Sequence, residues 1–247
     1  FGYISHYDWR NEYYFMVVLF LGSMMGLVFA RNLIVLYVFW EITAIVCWRL
    51  IGYFREKEFV LKANKAFLIT VFGAVMMLLG FIMIYGQAGS FDMGAIRTAL
   101  AGRPVANLAV FLILLGILSK SATVPLHTWL PDAGVAPTTV TALLHAAVLV
   151  KIGVYAYVRL FCYTFKLPEG WQQAIPIIVV FSSLVAAAAA AVENDIKRIL
   201  AYSTVSQIGY IFLGFAVLHP VGISGSLLFI LMHGLAKAGL FLCAGIV

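Results

Sequence analysis

The sequence predicts an all-α, polytopic transmembrane helix bundle, on the basis of its composition, its long apolar runs and the placement of its charges. Of the 247 residues, 64% are hydrophobic and 11% are charged, whereas a soluble domain has about a quarter of its residues charged. Such a chain cannot solvate the surface of a globular protein. The composition also excludes a disordered chain and a basic nucleic-acid-binding domain, although the net charge is +6.

Apolar runs long enough to cross a bilayer recur along almost the whole chain. A hydrocarbon core about 30 Å thick requires roughly 20 apolar residues in a helix. The runs also lack the alternation over about ten residues that is typical of a β-barrel strand. We therefore predict eight transmembrane helices, separated by short polar segments. In chain order they cover residues 13–30, 33–53, 63–85, 105–130, 137–165, 174–192, 199–218 and 222–247.

The polar segments between the spans divide into two sides of the membrane, of which one is richer in basic residues. The first side holds Arg10, Arg55, Lys57, Lys62, Lys197 and Arg198, and the second side holds Arg31, Arg97, Arg103 and Lys166. By the positive-inside rule, the first side and the amino end face the cytoplasm. The predicted location is the inner (cytoplasmic) membrane of a prokaryote.

The two ends of the chain and its cysteines limit what else it could be. We expect a piece of a longer membrane subunit, because the chain begins at Phe1 rather than Met and Val247 falls inside an apolar run. The polar start does not have the pattern of a signal peptide. Cys47, Cys162 and Cys243 lie far apart without a CxxC pair, so we predict no metal site, no disulfide framework and no cofactor.

Four charges lie in the middle of predicted spans. Glu41 is in the second span, Lys120 in the fourth, Lys151 in the fifth and Lys237 in the eighth. Each mid-bilayer charge costs about 2.5 to 3.5 kcal/mol, and such residues usually mark an ion pathway. The alternative is a set of static buried pairs that clamp the helices.

These residue types suit proton transfer. Burial disfavours the charged form of an amine, so a buried lysine can exchange its proton near a working pH. A contact between Glu41 and Lys120 would couple their titrations, so that moving a neighbouring charge would load or unload the lysine.

Histidines accompany two of the lysines. His145 precedes Lys151 by six residues, and His233 precedes Lys237 by four, which places the second pair on one helix face. A lone buried histidine is often only a core residue, but these positions favour a proton relay. A bis-histidine haem site is the alternative, and it requires paired histidines that face one cofactor.

Prolines interrupt the fourth and fifth spans. Pro125, Pro131 and Pro137 each remove a backbone donor, so the fourth span cannot be continuous. Irregular backbone at membrane depth survives where protein buries it or water lines it. A break at residues 121–125 therefore predicts a hydrated cavity beside Lys120, as at the ion sites of transporters.

A simple kink is the alternative explanation of this segment. In that case the hydroxyl groups of Ser121 or Thr123 would cap the carbonyl groups that the break frees. We also expect that Asp132 could cap the start of the next helical segment.

Four long stretches in a fixed order resemble one known family. They are FWEITAIVCWRLIGY, KSATVPLHTWLPDAGVAPTTVTALLHAAVLVKIGVYAYVRL, ENDIKRILAYSTVSQIGYIFLG and HGLAKAGLFLCAGIV. The chain resembles the antiporter-like subunits of respiratory complex I, a module that also occurs in multisubunit cation/proton antiporters and in energy-converting (group 4) membrane-bound hydrogenases.

The resemblance implies the fourth to eleventh helices of a fourteen-helix fold with two inverted five-helix repeats and a broken helix. Residues 1–165 would then form the first repeat, and residues 166–247 the first three helices of the second. A further lysine or glutamate, on the exit side, would lie beyond Val247. The CWRLIGY segment departs from the family by placing Arg49 at the membrane edge, where it could tune Glu41.

The resemblance also implies roles for individual residues. Glu41 matches the family's ion-pair glutamate and Lys120 its broken-helix lysine. The central polar axis is matched by His145 and Lys151, followed by His233 and Lys237.

The predicted function is translocation of H⁺ or Na⁺ by a subunit of a redox-driven respiratory or hydrogenase complex. The chain has no chemistry of its own and would be part of an enzyme only through that complex. The implied partners are other membrane subunits and iron–sulfur, hydrogenase-like or quinone-reducing subunits, with no nucleic acid. Two alternatives remain open: a secondary cation/proton antiporter without redox drive, and a non-transporting membrane anchor.

Overall fold

The structure is a computed structural model that describes residue 4 and residues 7–147 and 149–246. This part of the chain contains seven helices that are long and apolar enough to cross a membrane. The helices are α1 (Arg10–Phe29), α2 (Leu33–Ile51), α3 (Lys57–Ala88), α4 (Met93–Ala99), α5 (Asn107–Lys120), α6 (Trp129–Asp132), α7 (Thr138–Ala142), α8 (Leu149–Tyr157), α9 (Glu169–Val192), α10 (Ile196–Ala216) and α11 (Pro220–Ala244).

The helices confirm the predicted all-α transmembrane bundle. The seven long spans together with the shorter apolar helix α5 account for the eight predicted runs. The predicted fifth span is a composite, in which α7 and α8 are joined to the π-helical turns Leu143–Ala147 and Val158–Cys162. The expectation that the chain is a piece of a longer subunit was based on Phe1 and Val247, and both lie outside the described residues.

Helix α4 is a short element that the hydropathy pattern did not predict. It has 7 residues, and the Asp92 carboxylate caps it by accepting a hydrogen bond from the Ala95 N–H at 2.9 Å. Seven residues are too few for an apolar run of membrane length, so the only sequence signal for α4 is the aspartate at its N-cap.

The bundle core forms where neighbouring helices pack in pairs. Helix α3 packs against α5, α9 against α10, and α1 against α2. Large side chains such as Trp40, Trp129 and Tyr157 are fully buried in the core. Many apolar side chains on the outer faces are exposed, including Phe29, Leu184 and Leu235, as expected for surfaces that face lipid or further membrane helices.

Arg49 does not interact with Glu41 as the sequence suggested. Its guanidinium forms an ion pair with Glu12 of α1, which also pairs with Arg55 at 2.8 Å. Arg49 is in the last turn of α2, eight residues beyond Glu41, and eight residues in a helix span about 12 Å. Arg49 therefore links α1 and α2 at the first side of the membrane.

Candidate functional site

The broken fourth span places a lysine inside the bundle. Helix α5 ends at Lys120, and Ala122, two residues later, has a left-handed backbone with φ 52°. Lys120 is fully buried, and its Nζ donates a hydrogen bond to the carbonyl oxygen of Trp40 in α2 at 3.1 Å. The Thr43 hydroxyl donates to the same carbonyl at 2.6 Å. A backbone oxygen, rather than a carboxylate, is therefore the direct partner of the Lys120 ammonium.

Trp40, Glu41 and Lys120 make up what we call the first cluster. The Lys120 Nζ lies 5.4 Å from the centroid of the Trp40 ring, which is within the range of a cation–π contact. Glu41 interacts electrostatically with Lys120, but the ion pairs of the described residues do not include this pair. The direct contact considered from the sequence is therefore wrong, because Lys120 reaches the main chain one residue before Glu41.

Protein groups satisfy the irregular backbone after Lys120. The Ser121 hydroxyl donates to the Ile117 carbonyl at 2.6 Å, as the capping alternative predicted. The Val124 N–H donates to the Ser182 hydroxyl at 2.9 Å, and the Trp129 indole N–H donates to the Ser119 carbonyl at 3.0 Å. These bonds allow non-helical backbone at membrane depth without solvent. A hydrated cavity beside Lys120 stays a prediction.

Two lysines and two histidines from the other predicted spans come together as a second cluster: His145, Lys151, His233 and Lys237. Electrostatic interactions join His145 to both His233 and Lys237, and join His233 to both lysines. His145 lies on the π-helical turn Leu143–Ala147, a distortion that is frequent at functional sites. The sequence predicted all four residues as site candidates.

Both lysines of the second cluster donate to main-chain oxygens across helix boundaries. The Lys151 Nζ donates to the Ala146 carbonyl and, at 3.0 Å, to the Ile230 carbonyl of α11. The Lys237 Nζ donates to the Leu200 carbonyl of α10 at 3.0 Å and to the Ser203 hydroxyl. The second cluster therefore lies where α8, α10 and α11 meet.

The histidines of the second cluster are buried without hydrogen-bond partners. His145 is 0% exposed and His233 is 4% exposed, and none of their four ring nitrogens has a partner among the described residues. The His145 and Phe241 ring centroids are 4.6 Å apart. Buried polar atoms are almost always bonded to protein or to ordered water, so these nitrogens require water or a proton-sharing neighbour.

A glycine makes room for the Lys151 ammonium. A Cβ atom at Gly234 of α11 would lie 2.9 Å from the Lys151 Nζ. That distance is too short for an unchanged lysine position, so Gly234 allows the ammonium to reach the α11 backbone.

The contact between α5 and α8 brings together the helices that carry lysines of the two clusters. Helix α5 carries Lys120 and α8 carries Lys151, and the two helices pack against each other. A Cβ at Gly153 of α8 would meet the Ile117 carbonyl at 2.6 Å and the Ser121 Cβ at 2.8 Å. The hydrogen bonds given above for Lys120 and Lys151 lead to α2 and α11 respectively, and they do not join the clusters.

The sequence did not predict the role of Asp132. The carboxylate does not cap a helix; it forms ion pairs with Lys65 of α3 at 2.7 Å and with Arg198 of α10 at 3.4 Å. Lys65 also donates to the Thr128 carbonyl at 3.2 Å. The cap expected at Asp132 from the sequence is therefore wrong, because the carboxylate pairs with cations of two other helices instead.

Glu193 completes the ion pairs around Asp132. Its carboxylate accepts from the Arg198 Nε at 2.8 Å, and this hydrogen bond, with one from the Asn194 N–H, holds the pKa of Glu193 below its ordinary value. Arg198 lies two residues before Leu200, whose carbonyl accepts from Lys237. The first turns of α10 therefore contact both the end of the broken span and the second cluster.

Comparisons with known proteins identify the family. The family model described as "NADH:quinone oxidoreductase/Mrp antiporter, TM" matches residues 30–247. The chain is 36% identical to NAD(P)H-quinone oxidoreductase chain 5 of Synechocystis sp., over 99% of this chain and 37% of that protein. It is 36% identical to Na(+)/H(+) antiporter subunit A1 of Staphylococcus haemolyticus, over 100% of this chain and 33% of that protein.

A solved structure supports the same assignment. One chain of the membrane-bound sulfane sulfur reductase, an archaeal respiratory membrane complex, matches with a TM-score of 0.91 and 27% identity, over 98% of this chain and 50% of that chain. The chain spans about a third of the length of the curated relatives it matches. Because the family model matches most of the chain and the fold contains membrane-spanning helices, the chain is an integral membrane protein that belongs to the family of NADH:quinone oxidoreductase and Mrp antiporter transmembrane subunits.

Proposed function

We propose that the protein is an ion-translocating membrane subunit of a redox-driven complex, in which protons pass through the two clusters. The observation that carries this proposal is the second cluster, where four basic side chains meet inside the bundle and neither histidine has a hydrogen-bond partner among the described residues. Such groups are costly in a membrane and are placed there mostly for ion movement. The translocated ion is H⁺ or Na⁺, and the same side chains would form the path for either.

The contacts support the role that we propose for each residue. Lys120 would accept and release a proton while Glu41 and the Trp40 carbonyl stabilise its charged form. Lys151 and Lys237 would exchange protons through His145 and His233, with bound water completing the hydrogen bonds that the rings lack. A redox partner would act by shifting the charge near Glu41.

The domain organisation belongs to the same proposal. Residues 1–165 would be one inverted repeat and residues 166–247 the first part of the next. Lys151 and Ile230 would then join the two repeats through the hydrogen bond between α8 and α11. The first side of the membrane, which holds Arg55 and Arg198, would face the cytoplasm.

An antiporter without redox drive is the second candidate, because one relative is named a Na(+)/H(+) antiporter subunit. The same charges would serve both reactions. The proteins that co-purify with the subunit separate the two: iron–sulfur, hydrogenase-like or quinone-reducing subunits support the redox-driven form, whereas small hydrophobic membrane subunits support the antiporter.

The experiment is ion translocation by the full-length protein in its assembled complex in proteoliposomes. Lys120→Ala and Glu41→Ala should each abolish coupled translocation while the complex still assembles. Lys62→Ala is the matched control, because Lys62 is a partly exposed lysine that pairs with Glu58 one turn away. Normal translocation by assembled Lys120→Ala and Glu41→Ala complexes would refute the relay and favour a non-transporting anchor.

A further inference from the structure

A cavity of about 470 Å³ lies at the second side of the membrane. It is formed by the connection between α4 and α5, the segment from α8 to α9, and the connection between α10 and α11. Arg97 and Lys166 are the charged residues in its wall. Neither residue has a part in the proposed ion pathway.

The charge of this cavity differs from that of the cavities on the first side. The 340 Å³ cavity between α2 and α3 contains Glu12 beside its arginines. The 440 Å³ cavity near α6 contains Asp132 and Asp195 beside its basic residues. The wall of the 470 Å³ cavity contains Arg97 and Lys166 and no carboxylate. Both cations are exposed to solvent at the mouth of the cavity, and the wall itself supplies no counter-charge.

Nearby acidic residues do not supply that balance. The ion pairs found within the described ranges include neither Arg97 nor Lys166. Glu169 follows Lys166 by three residues but is exposed and does not line the cavity. Asp92 is occupied in capping the Ala95 N–H. The two cations are thus available to an anion.

The remaining wall is mostly apolar and aromatic, with Thr164 and Gln172 as its uncharged polar residues. Leu100, Phe161 and Phe165 line the cavity. Tyr163 lies at its edge and is 61% exposed. Tyrosine is enriched at the level of lipid head groups. The cavity therefore offers cations for a phosphate group and apolar surface for the start of an acyl chain.

We propose that this cavity binds the phosphate head group of an anionic phospholipid from the leaflet on the second side. Arg97 would donate two hydrogen bonds from its guanidinium to the phosphate oxygens, and Lys166 would add a point charge. The volume is within the range of about 300 to 1,000 Å³ that is usual for small-molecule sites.

The test is native mass spectrometry of the complete, detergent-purified complex during titration with phosphatidylglycerol. Phosphatidylcholine with the same acyl chains serves as the neutral lipid, and inorganic phosphate serves as the free anion. The variant is Arg97→Gln with Lys166→Gln. Arg103→Gln is the matched control, since Arg103 is an exposed arginine of the same α4–α5 connection and does not line the cavity.

We expect the complex to bind phosphatidylglycerol at least about tenfold more tightly than phosphatidylcholine, with excess phosphate leaving the lipid bound. The double variant should lose most of that preference, whereas Arg103→Gln should retain it. The comparison of the two lipids uses the unmodified protein, so it can overturn the proposal even if the double variant does not assemble. Equal binding of both lipids, displacement by phosphate, or an unchanged preference in an assembled double variant would overturn the proposal. None of these outcomes depends on ion translocation.

Discussion

The two clusters hold their lysines in different electrostatic surroundings. In the first cluster, one ammonium is close to one carboxylate and rests on the Trp40 carbonyl. In the second cluster, two lysines and two histidines meet without a carboxylate partner among the described ion pairs. Opposite charges can balance in the first cluster. In the second, each added proton makes the next less favourable, because like charges in close contact oppose one another's ionisation.

This difference indicates where each cluster is sensitive. The first cluster depends on the balance of one charge pair, so it should respond to the loss of either charge. The function of the second cluster depends on where its side chains lie, because its cations share a small space and main-chain acceptors without a counter-charge. Changes in shape, with all charges kept, should therefore affect the second cluster most.

The largest effect that we expect from a change in shape alone is that of Gly234→Ala. The new methyl group would force the Lys151 ammonium, the end of a flexible side chain, to shift from the position in which it donates to the Ile230 carbonyl. Ion translocation by the assembled complex should fall on the order of tenfold, since small misplacements of reacting groups have large effects on rate. Gly239→Ala on the same helix is the control, because a Cβ there meets nothing within 4 Å. Equal rates in the two variants would show that the position of Lys151 is unimportant.

An intermediate effect is expected for Asp132→Asn, which tests whether the ion pairs at the end of the broken span influence translocation through the clusters. The change removes the ion pairs from α6 to Lys65 and Arg198. Translocation should fall by roughly three- to fivefold while assembly is retained, because partly exposed ion pairs each contribute no more than about 1 kcal/mol. Asp132→Glu should restore most of the rate. Glu58→Gln, at an exposed pair on the same side, is the control; the same loss in both would point to a general charge effect.

The smallest effect is expected for Glu193→Gln, at the edge of the same ion pairs. The pKa of Glu193 is lowered by the hydrogen bond from Arg198. A lowered pKa means that the pair is formed at neutral pH and is lost only as the pH falls through that pKa. The variant should therefore change translocation at neutral pH by less than about twofold. If the translocation rate of the unmodified complex falls at acidic pH because this pair is lost, that fall should be absent in the variant. A larger loss at neutral pH would place Glu193 in the path itself.

The sequence predicted the spans and the site candidates because both depend on strong local signals. Apolar runs define the helices, and charges such as Glu41 or Lys237 are conspicuous inside them. The hydrogen-bond partners of the buried lysines were less predictable. Lys120 bonds to the Trp40 carbonyl and Lys151 to the Ile230 carbonyl, and every residue carries a carbonyl, so no side-chain pattern indicates them.

The ion pairs of Asp132 escaped prediction for a related reason. They join residues 66 and 67 positions apart in the chain, and a loop aspartate is ordinarily a solvated or capping residue. Arg49 is similar, because its partner Glu12 belongs to a different helix. Such pairs follow from the packing of whole helices, which local propensity does not determine.

The length of α5 has a consequence for the membrane voltage. With 14 residues and a rise of about 1.5 Å per residue, α5 extends about 21 Å from its start at the second side. In a hydrocarbon core about 30 Å thick, Lys120 then lies about two-thirds of the way across. A proton that reaches Lys120 from the first side crosses only about a third of the potential drop, or about 0.8 kcal/mol at 100 mV. Most of the electrical work would therefore belong to the passage between Lys120 and the second side.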